Sequence, residues 1–200
     1  VLPTEAVRRL AAALQVPEPR LAMAYIDVDV SASSWLVRRY YDSWFATGYI
    51  DRQDAGSGVF AMNRAGVARV QPLPDVINDD GYIARCFGAD EKVVCDVKFR
   101  SFAPRSVQAL IRRRARIVNG NRQLDAMQTS KVATAPRSTQ GFDLRTAVLS
   151  RQLPLTSAFV FVGITAAARG LAAWRRLIGA AGRWSTDTTT RTPGTSVARK

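Results

Sequence analysis

An α/β sandwich is the fold class that this sequence predicts. Three segments with strand character, residues 21–30, 59–62 and 92–99, alternate with segments of helical periodicity, and that order belongs to a sheet covered by helices. A length of 200 residues, 47% of them hydrophobic, is enough for one domain with a real core. A charge-free stretch towards the C-terminus stands outside the alternation and reads as a separate apolar helix.

The first helix begins at Pro3-Thr4, since proline is tolerated in a first turn and threonine can cap. Val7, Leu10, Ala11 and Leu14 recur at helical spacing, and Pro17 and Pro19 end the run. Residues 21–30 form a strand, with Tyr25, Ile26, Val28 and Val30 as its β-formers. A helix over residues 35–45 carries Trp35, Tyr40, Tyr41, Trp44 and Phe45, an aromatic density that fits core or groove lining, and Gly48 stops it. Gly56-Ser57-Gly58 turns into the short apolar strand at 59–62, and Asn63 caps a brief helix over 64–69. Pro72 and Pro74 make a rigid approach to Asp75, and a helix starting at Asn78 or Asp79 carries Tyr82, Ile83 and Cys86.

Residues 92–99 alternate cleanly, which puts Val93, Cys95, Val97 and Phe99 on one face of a strand. Pro104 opens a long helix reaching about residue 118, with Val107, Leu110, Ile111, Ala115 and Val118 as its apolar stripe. Residues 1–128 therefore read as one unit and 129–150 as a linker. Residues 151–182 form an apolar helical segment, and 183–200 a polar, disordered tail. Within the apolar segment, residues 152–168 carry no charge, a run at the lower limit for crossing a bilayer. Arg169, Trp174, Arg175 and Arg176 follow it, as at a membrane interface. A spanning helix and one lying on the membrane are both open at this point.

The net charge of +13 favours anionic partners: nucleic acid, anionic lipid or phosphorylated substrates. The chain contains no histidine, which excludes Ser-His-Asp and Cys-His nucleophile systems, His general bases and His-containing zinc sites within it. Cys86 and Cys95 lack metal-ligand spacing and read as buried small apolar residues. No basic segment followed by an apolar one precedes the first helix, so no signal peptide is expected here.

Acid/base chemistry must then fall to carboxylates, Lys, Tyr or Cys, and Asp79-Asp80 is the leading candidate. Two carboxylates at a helix start are favoured by the helix dipole whatever the function. They also suit a general base, because like charges side by side raise the pKa of one of them. Arg112, Arg113, Arg114 and Arg116 lie on one helix. A solvated basic face explains three, but Arg114 falls on the apolar stripe, where an idle charge would be costly. Guanidinium groups match phosphate oxygens and can stabilise a departing diphosphate. Gly56-Ser57-Gly58 reads as a simple turn or as small residues leaving room for a sugar ring. Asp27 and Asp29 share one face at a strand end and read as solvent-exposed rather than as a metal site.

In their order, these residues resemble the acceptor half of a family 2 glycosyltransferase with a GT-A fold. Leu2 to Leu10 look like the helix after that family's Asp-x-Asp metal motif, and Gly56-Ser57-Gly58-Val59-Phe60-Ala61-Met62 like its acceptor turn. Asn78-Asp79-Asp80 look like the base motif, and Arg113-Arg114-Ala115-Arg116 like its arginine motif, followed by Gly120-Asn121-Arg122-Gln123-Leu124. The resemblance implies a partial GT-A sandwich, N-terminally truncated, whose nucleotide-binding strands and metal motif precede Val1. It implies inverting transfer of a sugar from a nucleotide diphospho-sugar to a saccharide or lipid-linked hydroxyl acceptor in envelope polysaccharide or glycolipid synthesis. Asp80, with Asp79, would act in catalysis; Arg113, Arg114 and Arg116 would hold the diphosphate; Gly56, Ser57 and Gly58 would line the acceptor site. A Mg²⁺ or Mn²⁺ ion would be held mainly by residues upstream. Ile117 stands where processive synthases carry Trp, so polymer synthesis is not implied. The expected location is the cytoplasmic face of the cell membrane, with no nucleic-acid partner and little nucleotide-sugar binding by these residues alone. The alternative is a basic module that binds nucleic acid or anionic membrane without catalysis.

Overall fold

The computed structural model describes residues 2–46, 58–127 and 153–180. Three strands and six helices are described: α1 (Thr4–Ala13), β1 (Leu21–Asp29), α2 (Trp35–Ala46), β2 (Phe60–Met62), α3 (Arg64–Val70), α4 (Asp79–Arg85), β3 (Lys92–Phe102), α5 (Val107–Ala126) and α6 (Leu155–Leu177). The fold is mixed α/β. Gly48, Gly56, Ser57, the 129–150 linker and the 183–200 tail lie outside the described residues.

The sheet has the order β2-β1-β3, with β2 antiparallel and β3 parallel to the central β1. Leu21 to Ala24 pair with Lys92 to Cys95, and after a register shift Tyr25 to Asp29 pair with Lys98 to Phe102. The first four residues of β1 are buried, because helices cover the sheet on both sides there. On one side α1 sets Leu10 against Ala22 and Cys95, with Val93 and Val97 packed beside them. On the other, Tyr82, Ile83, Cys86 and Phe87 pack with Leu21, Met23, Val70 and Leu124. A third cluster lies beyond the C-terminal ends of β1 and β3, where α2, the first half of α5 and α6 meet around Val37, Tyr40, Tyr41, Leu110 and Ile164.

Local chemistry explains the element ends. Asn63 accepts a hydrogen bond from Gly66 N at 2.9 Å and so caps α3, while its amide donates to the carbonyls of Val16 and Glu18. Asn78 caps α4 in the same way, accepting from Gly81 N at 3.0 Å. The alternation of β3 holds: Cys95 and Phe99 are buried while Asp96, Lys98 and Arg100 are exposed. Cys86 and Cys95 are both buried free thiols, as expected from their surroundings.

Three boundaries differ from the sequence expectation. β3 continues to Phe102 because its second half still pairs with β1. α5 begins at Val107 rather than at Pro104. The Pro104 carbonyl accepts from Ser33 Oγ and the Arg105 carbonyl from Ser34 N, holding that stretch out of the helix, and Ser106 Oγ caps Ala109 N. The same helix runs eight residues past position 118, through Gly120 and Asn121, two weak helix formers that tertiary contacts hold in place.

Candidate functional site

The approach to the acidic pair is fixed from α5. Gln123 bridges two points of the preceding segment: its Oε1 accepts from Ile77 N at 2.9 Å and its Nε2 donates to the Asp75 carbonyl at 3.2 Å. Asn78 Nδ2 donates to Asn121 Oδ1 at 2.7 Å. Gly120 lets the helix come this close; a Cβ there would stand 2.8 Å from Asn78 Cβ and 3.3 Å from Ile77 Cγ2. One turn on, Arg85 pairs with Asp125 at 2.8 Å. Helix α4, only seven residues long, is thus stitched to α5 by polar contacts on successive turns.

Asp79 is exposed, and its Oδ1 accepts from Asp80 N at 3.0 Å, a local first-turn contact. Asp80 is half-buried, and its carboxylate accepts no hydrogen bond among the described residues. Burial is the main cause that raises its pKa above the ordinary carboxylate value; the neighbouring Asp79 charge raises it further, and Arg116 pulls it back. The sequence pointed to repulsion between the two carboxylates as the cause of such a shift, and desolvation is the larger one. Gly58 faces the same carboxylate: a Cβ built on it would lie 3.9 Å from Asp80 Oδ2. Its φ of 78° is a left-handed conformation that glycine takes without strain. Gly58, Asp80 and Arg116 therefore come together from three separate stretches of chain.

The other arginines point elsewhere. Arg114 is half-buried, and with Thr165 it faces the hydroxyl of Tyr40, neither in full hydrogen-bond geometry. Arg113 and Arg114 both bear on Tyr41, and burial raises the pKa of both tyrosines while the guanidinium charges oppose the rise. The position of Arg114 on the apolar stripe thus has a local partner in α2. Arg112 is exposed on the solvent side of α5.

Asp27 and Asp29 are engaged locally. Asp27 is exposed and lies 3.8 Å from Arg100, while Asp29 accepts from Ser31 N at 2.9 Å; the Ser31 side chain first, and this backbone bond second, hold its carboxyl below the usual range. Among the described residues no three carboxylate, Cys or His side chains converge on one point. Asp79 and Asp80 alone do not make a cage for Mg²⁺ or Mn²⁺.

Gly120, Asn121 and Gln123 are the site-forming residues whose role the sequence did not disclose. Their one local signal was a glycine-asparagine pair just past the expected end of the helix, where it reads as a stop.

Comparison with protein-family models, with curated proteins and with solved structures finds no match to this chain.

Proposed function

We propose that this chain is the acceptor-side part of an inverting glycosyltransferase of the GT-A type, moving a sugar from a nucleotide diphospho-sugar to a hydroxyl acceptor. The observation that supports this reading is the meeting of Gly58, Asp80 and Arg116: a half-buried carboxylate that accepts no hydrogen bond among the described residues, with glycine backbone and positive charge near it. A base needs an open oxygen within reach of the hydroxyl, and its raised pKa improves its match to a poorly acidic alcohol.

In the proposed reaction an acceptor hydroxyl enters over Gly58 and gives its proton to Asp80. The acceptor oxygen attacks the anomeric carbon from the face opposite the diphosphate, and the bond from that carbon to the diphosphate oxygen breaks. The departing diphosphate takes the electron pair, and fixed positive charge lowers the barrier to its departure. Arg116 is the arginine of the motif placed to act near Asp80; Arg113 and Arg114 supply positive charge along the same helix. Burial raises the pKa of Asp80, and the charge of Asp79 adds to that rise. A divalent cation, held by residues outside this chain, would neutralise the diphosphate.

The experiment is sugar transfer by the protein produced with the coding sequence that precedes Val1, compared with its Asp80→Asn variant. Loss of transfer with donor affinity kept within a few-fold is the expected result. Transfer by Asp80→Asn close to wild type overturns the assignment of the base. Micromolar binding of a nucleotide sugar to residues 1–200 alone overturns the placement of the donor site upstream.

A further inference from the structure

Helix α6 is long and apolar enough to cross a membrane by length and composition. Its packing is that of a peripheral element. One side is fastened along its length to the domain. Ser157 Oγ lies 3.2 Å from Asp42 Oδ2 near one end, and Arg176 donates to Asn119 Oδ1 at 2.8 Å near the other. Between them Phe161 stacks on Tyr40 with centroids 5.0 Å apart, and Ile164 enters the core shared by α2 and α5. Sinking α6 into hydrocarbon on all sides would carry the Arg39–Asp42 pair and the arginines of α5 with it, and charged groups in the bilayer interior are costly.

The opposite side is the unusual one. Leu155, Phe159, Val162, Ala166 and Leu177 recur at helical spacing on the outward stripe, and Trp174 stands at its margin. Phe159 is 75% and Leu177 82% exposed. A helix packed on a domain normally turns charged and polar residues to that side. Here that side carries one charge, the exposed Arg169 three residues after Ala166, and an exposed, otherwise apolar surface of this length marks a docking face.

We propose that the outward face of α6 docks on an anionic lipid bilayer, the helix lying in the plane of the surface. Charge selects this occupant over a second copy of the chain. α6 carries Arg169, Arg175 and Arg176 and no acidic residue, and the chain as a whole carries a net charge of +13. Two such chains repel, whereas a negatively charged surface attracts each of them. The apolar stripe enters the boundary between headgroups and acyl chains, and Trp174 sits at headgroup level. This proposal stands independently of the sugar-transfer reading.

The experiment is flotation of the full chain with vesicles of phosphatidylcholine alone or containing about one third phosphatidylglycerol. The variant Phe159→Glu/Leu177→Glu is run beside it, with circular dichroism to show that these two exposed substitutions leave the fold intact. Binding to the anionic vesicles, weakened at least about tenfold in the variant and released by an alkaline carbonate wash, is the expected result. Absence of binding to anionic vesicles, equal binding by the variant, or resistance to the wash each overturns the proposal. A dimer in sedimentation that the double substitution converts to monomer, without vesicle binding, assigns the face to a second copy instead.

Discussion

Replacing Gly120 by Ala should destabilise the protein, against the sign that helix propensity alone gives. In the interior of a 20-residue helix, Gly→Ala is worth about 1 kcal/mol of stabilisation. At position 120 the new methyl would stand 2.8 Å from Asn78 Cβ, 3.2 Å from Asn78 N and 3.3 Å from Ile77 Cγ2. Carbon atoms rest at about 3.5–4.0 Å, so the capping residue of α4 must move by most of an ångström. Two of the three crowded atoms belong to Asn78 itself, which the cap bond to Gly81 and the bond to Asn121 hold on both sides. Overpacking of this kind costs about 1–3 kcal/mol, and a strained Asn78–Asn121 bond adds about 1 kcal/mol. After the propensity gain is deducted, a net loss of about 1–3 kcal/mol remains, or roughly 2–4 °C of melting temperature per kcal/mol in a chain of this size. Gly163→Ala in α6 is the matched control, because nothing lies within 4 Å of the added methyl and only the propensity gain applies. Urea unfolding followed by circular dichroism measures both. If Gly120→Ala proves as stable as the parent or more so while Gly163→Ala gains, the close contact between α5 and the α4 cap is refuted.

Three further outcomes follow from the site and the core. Asp79→Asn should lower the pKa of Asp80 and Arg116→Ala should raise it, read from the Asp80 side-chain carboxyl by carbon-13 titration; shifts of the same sign would contradict the placement of these charges. The folded pKa of Asp80 lies above its unfolded value, so the native state holds its proton more tightly and stability falls as pH rises from about the unfolded value of 3.8 through the folded one. Asp80→Asn should therefore raise the melting temperature at neutral pH, with the gain shrinking in acid; no gain at neutral pH would count against a desolvated carboxylate. Ser43 is fully buried, and its hydroxyl has no partner among the described residues. Ser43→Ala should stabilise by about 1 kcal/mol in urea unfolding, since an unpaired hydroxyl is lost and helix propensity gained.

Much of the fold was legible because its signals are local. Asparagine before a helix is a capping residue, and Asn63 and Asn78 both cap. Alternation over residues 92–99 can only be a strand with one face inward, and β3 is one. The misjudged parts depend on partners distant in sequence. Pro104 resembles a helix start until Ser33 and Ser34 hold its surroundings extended. Gly120-Asn121 resembles a helix end until Asn78 packs against it. The acidic pair and the arginine run were visible as chemistry. The meeting of Asp80 with Gly58 and Arg116 depends on how the chain returns across the sheet, which no local pattern encodes. Arg114 was recognised as out of place on an apolar stripe, but its neighbour Tyr40 lies 74 positions earlier. The apolar run before Arg169 announced a helix without saying which side of it the domain would cover.

Helix α5 contributes Leu110 to the core shared with α2 and α6, and Leu124 to the core beneath α4. At about 30 Å it is long enough to serve both. Neither region can open without stripping one end of the same helix, so the two cannot unfold as separate units. The amides in the middle of α5 should be the slowest in the protein to exchange with solvent deuterium, released only when the whole molecule unfolds. Those of α3, a seven-residue helix at the sheet edge, should exchange through smaller, earlier openings.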